Sequence, residues 1–209
     1  MSDERGQKTN WEKEYKHLVQ VLENVFDFQR WNFQETFARI ETESSPYVIY
    51  GSEWCRVWFG LRGGDMHQAP EMSVYYGRLH APDDGGFFIW NGEKCTAWHD
   101  VYEALYFLDG LSPKEAADKR EVKYELPHVV EQFRQSELGK KLLPGGYQTI
   151  EGVARLHATI WEQYGQRLFE LFDLRRPDLW NQYTQFLSDY HKILGTSTLP
   201  GFPAPDKNC

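Results

Sequence analysis

The sequence predicts an α+β fold: an antiparallel meander of four to five strands over about residues 47–98, with one N-terminal helical segment and several C-terminal helices packed on it. Three observations point there. Apolar residues recur at spacings of three and four before residue 44 and after residue 100. Between those limits they alternate, and Gly, Pro, Asn and Asp clusters separate the alternating runs.

The first helix opens at Thr9 and Glu12, a capping-box pair. Trp11, Tyr15, Leu18, Leu22 and Val25 form its stripe. Phe33, Phe37 and Ile40 continue it, so one long helix or a broken pair is expected to run to about Glu43, where Ser44-Ser45-Pro46 stops it. Tyr47 to Tyr50 is the first expected strand. Glu53 to Arg62 is the second, with Cys55, Val57, Phe59 and Leu61 on one side and Trp54, Arg56, Trp58 and Arg62 on the other. Met72 to His80 is the third and Phe87 to Trp90 the fourth. Asn91-Gly92, a dipeptide suited to a type I′ turn, leads into the fifth, Lys94 to Trp98.

Helices follow. Val101 to Leu108 ends at Gly110. Ser112-Pro113-Lys114-Glu115 places Ser at the N-cap, Pro at N1 and Glu at N3. Val129 to Leu138 reads as one helix, and Thr149 to Phe172 as another with His157 on its apolar stripe. Pro177 opens the last helix, whose face carries Trp180, Tyr183, Phe186, Leu187 and Tyr190. Residues 1–194 are expected to form a single domain, and the Gly- and Pro-rich 195–209 a mobile tail.

Composition narrows the function classes. The net charge of −8 argues against bulk nucleic-acid binding, which needs a broad basic surface. No run of apolar residues is long enough to span a membrane, and Met1 to Asn10 lacks the apolar core of a signal peptide. Three cysteines, Cys55, Cys95 and Cys209, read as free thiols in a reducing compartment, so a cytoplasmic location is expected. The 33 aromatic side chains serve either a core or a binding surface.

The candidate ligand-binding residues are Trp54, Arg56, Trp58, Tyr76, Arg78 and His80. Strand parity puts Trp54, Arg56 and Trp58 on one face and Tyr76, Arg78 and His80 on another. Guanidinium forks beside aromatic rings suit a small anionic or nucleotide-like ligand, or an acidic protein segment. The competing reading makes the indoles core and the arginines ion-paired. On this basis the chain is expected to be a binding module with an open Arg/aromatic sheet face. A rival reading is a hydrolase or transferase with His80 as acid–base catalyst. A third is a protein-interaction subunit or homodimer. No metal site and no cofactor is expected: His67, His80 and His99 lack ligand spacing, and no phosphate-binding or nucleophile motif is present.

Overall fold

The computed structural model of the chain describes residues 3–31, 33–39, 47–52, 55–62, 71–78, 87–90, 93–96, 101–143, 149–173 and 175–195. These are mostly helical. The helices are α1 (Asp3–Val25), α2 (Val101–Leu108), α3 (Pro113–Ala117), α4 (His128–Gln135), α5 (Glu137–Leu142), α6 (Ile150–Phe172) and α7 (Pro177–Ile193), with a π-helix at Asp118–Val122. The strands are β1 (Gln34–Arg39), β2 (Tyr47–Gly51), β3 (Cys55–Arg62), β4 (Glu71–Arg78), β5 (Phe87–Trp90) and β6 (Glu93–Thr96). None of the described helices is long and apolar enough to cross a membrane.

The expected α+β architecture, a single meander over about 47–98 carrying the helices, is therefore corrected. Helices dominate, β5 and β6 form a separate two-stranded sheet, and β1 lies where a helix was expected. Strands β1 to β4 follow one another in the other sheet. Consecutive strands are neighbours only about two-thirds of the time, and a short connection between β4 and β5 does not oblige them to pair.

The helix expected to reach Glu43 fails for a local reason. The Asp27 side chain accepts a hydrogen bond from the Arg30 amide at 3.1 Å, and the Phe33 amide reaches back to the Phe28 carbonyl at 2.9 Å. An aspartate held this way substitutes a turn for the next helical turn. The chain emerges extended and pairs antiparallel with β2, Gln34 opposite Gly51 and Arg39 opposite Tyr47. The register shifts between Glu35 and Phe37. A bulge of this kind adds a residue to one strand and breaks the period of two on which a strand is recognised. Ile40, the end of the expected helical stripe, lies outside the described residues.

In β5 and β6, Trp90 faces Glu93, so two residues connect them, as Asn91-Gly92 predicts. The turn itself, residues 91 and 92, lies outside the described residues. The expected helix Val129 to Leu138 is two helices. Ser136 accepts the Gly139 amide at 3.0 Å and caps α5. Gly139 is buried with its α-carbon against the Phe133 carbonyl, where any Cβ would collide with that oxygen.

The chain divides into two compact units, each with its own core. The first comprises Met1–Ser52, Val57–Val74 and Gln132–Gln163. Leu18, Leu22, Val48, Ile49, Phe59 and Ile160 are fully buried there. Aromatic rings link its elements: Phe28 stacks on Tyr50 at 4.0 Å, and Phe33 meets Trp161 edge-on at 5.1 Å. His157 is 5% exposed among these residues, and burial alone lowers its pKa from the usual 6.5 to about 3.

The second unit comprises Glu53–Arg56, Tyr75–Glu131 and Tyr164–Cys209. The stripe expected on α7 is its core, with Trp180, Tyr183, Phe186, Leu187 and Tyr190 all buried. Phe107 of α2 meets Tyr183 and Phe186 at 5.3 and 5.6 Å.

The neutral, buried His157 gives a pH dependence whose sign is fixed. Its folded pKa lies below the unfolded value of 6.5, so its contribution is complete above pH 6.5 and is lost as pH falls toward 3. Urea unfolding between pH 7 and 4.5 is expected to show stability falling by up to about 1.4 kcal/mol per pH unit from this group. His157→Leu should flatten that slope; equal slopes in the two proteins would exclude a neutral buried imidazole.

Candidate functional site

Of the six sequence-predicted binding residues, two have described side chains. Tyr76 and Arg78 lie on β4 and are 1% and 4% exposed. The Arg78 Nε donates to the Phe172 carbonyl at the end of α6, at 3.2 Å. Its guanidinium lies over the Trp180 ring at 4.6 Å. A cation is favoured at a helix C-terminus, where carbonyls lack intrahelical partners. Burial lowers the Arg78 pKa, and the charge of Asp173 works against that. Both side chains are buried, so Tyr76 and Arg78 do not present an open face to solvent. Arg56 and Trp58 fall on β3, while Trp54 and His80 lie outside the described residues. The side chains of Arg56 and Trp58 lie outside them too, as do those of the three cysteines. His67 and His99 are also outside them.

A different place in the second unit combines a cavity, exposed apolar side chains and an unusual backbone. It is built from the end of α2 to the start of α4. Helix α2 ends in a Schellman turn. The Gly110 amide donates to Phe107 at 2.9 Å, the Leu111 amide donates to Tyr106 at 3.1 Å, and Gly110 has φ +77°. This turn sets Asp109 and Leu111 beside Tyr106. Ser112 then caps α3 with a complete capping box: its Oγ accepts the Glu115 amide at 3.3 Å, and Glu115 Oε2 accepts the Ser112 amide at 2.8 Å.

Helix α3 does not continue as an α-helix. It widens into the π-helix, whose last bond runs from the Lys123 amide to the Asp118 carbonyl at 3.1 Å. Single π-turns are frequent at functional sites. The chain must then straighten, because Leu126 precedes Pro127 and the residue before proline avoids the helical region. The reversal falls on Tyr124, whose φ is +54°. Left-handed backbone costs an ordinary residue roughly 1–2 kcal/mol, and it persists where surrounding bonds impose it.

Those bonds are present. The Glu125 amide donates to the Lys119 carbonyl at 2.8 Å, and the Tyr106 hydroxyl donates to the Glu125 carbonyl at 2.8 Å. Lys119 Nζ lies 2.6 Å from Glu125 Oε2, and Lys123 Nζ lies 3.0 Å from Asp118 Oδ2. These pairs hold the Glu125 carboxyl below its ordinary range and the Lys123 ammonium above its own. The π-helix is fastened from below by Arg120. Its guanidinium donates to the Tyr190 hydroxyl at 3.0 Å and lies 3.6 Å from the buried carboxylate of Glu103. His191 Nε2 lies 3.4 Å from the same Glu103 oxygen.

Behind Tyr124 lies a cavity of about 510 Å³. Tyr106, Asp109 and Leu111 contribute from the end of α2, and Lys119, Lys123, Tyr124 and Glu125 from the π-helix and its turn. Leu126, Pro127, His128 and Glu131 complete it at the start of α4. Tyr124 is 83% and Val122 69% exposed, the two most exposed large apolar residues among those described. None of the six sequence-predicted residues lines it. The motif Lys123-Tyr124-Glu125-Leu126-Pro127 carries the proline that forces the turn, but tyrosine is not a residue that signals positive φ.

Tyr124→Gly is expected to raise the unfolding free energy by about 0.5–1 kcal/mol, the left-handed cost less the extra unfolded-chain entropy of glycine. Tyr124→Ala should not raise it. Chemical denaturation of the three proteins checks this, and equal effects of Gly and Ala would mean that the position is not strained.

Comparison of the chain with family models, with curated proteins and with solved structures finds no match.

Proposed function

We propose that the chain is a binding module that recognises a polypeptide segment of a partner through the Tyr124 turn and the cavity behind it. The class is the one expected from the sequence; the site moves from the Arg/aromatic sheet face to the helical unit. The carrying observation is that a strained backbone holds a tyrosine ring in water, 83% exposed, beside a 510 Å³ cavity. Left-handed backbone at a tyrosine opposes folding, and outliers of this kind cluster at sites of ligand contact.

The surroundings fit a polypeptide. Tyrosine is among the residues that dominate protein recognition, because it offers a large rigid surface and a hydroxyl at little conformational cost. Leu111, Tyr124, Leu126 and Pro127 supply apolar lining. Lys119, Lys123, Glu125 and Glu131 surround it with charges of both signs, as at the polar rim of an interface. The cavity gives an anchoring side chain somewhere to go. The bonds from Lys119, Tyr106 and Arg120 fix the turn in advance, which lowers the ordering cost of association.

Panning a displayed random-peptide library against the chain tests this. The expected result is a set of peptides with one recurring apolar anchor and Kd on the order of 1–10 μM. They should protect the amides of residues 119–126 from hydrogen exchange and bind Tyr124→Gly at least about tenfold more weakly, as expected of an interface hot spot. Protection elsewhere, or equal binding to Tyr124→Gly, would contradict the reading.

A further inference from the structure

We infer that the segment recognised is basic, and that it presents a lysine or arginine to Asp109 in the wall of the cavity; this rests on the polypeptide-binding reading above. The argument is one of charge. Two cations line the cavity, but each already has a carboxylate: Lys119 has Glu125 at 2.6 Å, and Lys123 has Asp118 at 3.0 Å. Each pair is locally balanced.

Asp109 is met differently. Its Oδ1 accepts a hydrogen bond from the Tyr164 hydroxyl at 2.6 Å. A phenol is a neutral donor, so this bond orients the carboxylate without cancelling its charge. Burial, with the bond to Asp109, pushes the Tyr164 pKa up to about 12, so the hydroxyl keeps its proton at neutral pH. Arg167 packs over the Tyr164 ring at 5.4 Å. The chain carries a net charge of −8, which draws a basic segment toward it and repels an acidic one.

Aromatic walls add to this preference. Tyr106 and Tyr124 both line the cavity, and a lysine or arginine beside a tyrosine ring gains a cation–π contact while its aliphatic stem covers apolar surface. An acidic segment would meet Asp109 with like charge. The acidic ligand expected of an arginine-lined sheet face is thus replaced by its opposite.

The test uses the full chain and one random-peptide library at low ionic strength. The wild type, Asp109→Asn and Tyr164→Phe are panned side by side. Tyr164→Phe removes the hydrogen bond and keeps the charge, which separates electrostatic recognition from loss of local structure. The wild-type and Tyr164→Phe pools should be enriched in lysine and arginine over the starting library, and the Asp109→Asn pool should not. Replacing the basic residue of a selected peptide by glutamine should weaken binding about tenfold to the wild type and much less to Asp109→Asn.

A wild-type pool that is neutral or acidic would overturn the charge inference while leaving the module intact. Equal enrichment in the Asp109→Asn pool would also overturn it, by tracing the preference to net charge alone. Selected peptides that fail to protect residues 119–126 would instead remove the polypeptide-binding reading on which it rests.

Discussion

Glu103 is a carboxylate taken out of water, 4% exposed, and the segment that carries the candidate site depends on how that charge is met. An isolated buried carboxylate is costly, and cations nearby are the usual remedy. Here Arg120 supplies the cation from the π-helix, and the His191 ring of α7 lies 3.4 Å from the same oxygen. Arg120 also binds the Tyr190 hydroxyl, so one guanidinium ties the π-helix to two helices. In an α-helical continuation of α3, residues after Asp118 would be rotated away from their present directions. The widened turn is the geometry in which Arg120, itself 42% exposed, reaches Glu103 and Tyr190 while Val122 and Tyr124 point to solvent.

From that fastening the rest of the site follows. With the π-helix pinned below and Pro127 dictating an extended Leu126, the reversal has two or three residues in which to occur. It falls on Tyr124 and is held by the Lys119–Glu125 contacts and the Tyr106 hydroxyl. The strain is local, and the bonds that impose it come from Lys119 of the π-helix and from Tyr106 of α2. A turn of this kind is stiff rather than loose, and stiffness favours recognition because little ordering remains to be done on binding.

Much of the helical half was legible in the sequence. Ser112-Pro113-Lys114-Glu115 announces a helix start that the structure builds, Gly110 closes α2 with the positive φ that glycine alone takes easily, and the α7 stripe is core. The β region was less legible. The Asp27 turn and the bulge in β1 disguised a strand as a helix, because a bulge replaces the alternation on which a strand is recognised. Parity puts Tyr76 and Arg78 on one side of their strand, yet parity says nothing about what covers a side chain, and Arg78 ends against Trp180 and the end of α6. The candidate site left almost no trace. Its parts lie on α2, the π-helix and α4, and its strained position is a tyrosine where pattern reading looks for glycine or asparagine.

The central claim is that Arg120 holds the Tyr124 turn in place before any partner arrives. Native-state hydrogen exchange of the Lys123 and Glu125 amides tests it most directly, in the wild type and in Arg120→Ala, with the Leu187 amide of α7 as reference. The account predicts strong protection of both amides in the wild type. In Arg120→Ala that protection should be lost at 123 and 125 out of proportion to any change at 187. Rapid exchange at 123 and 125 in the wild type, or parallel changes at all three amides, would contradict it.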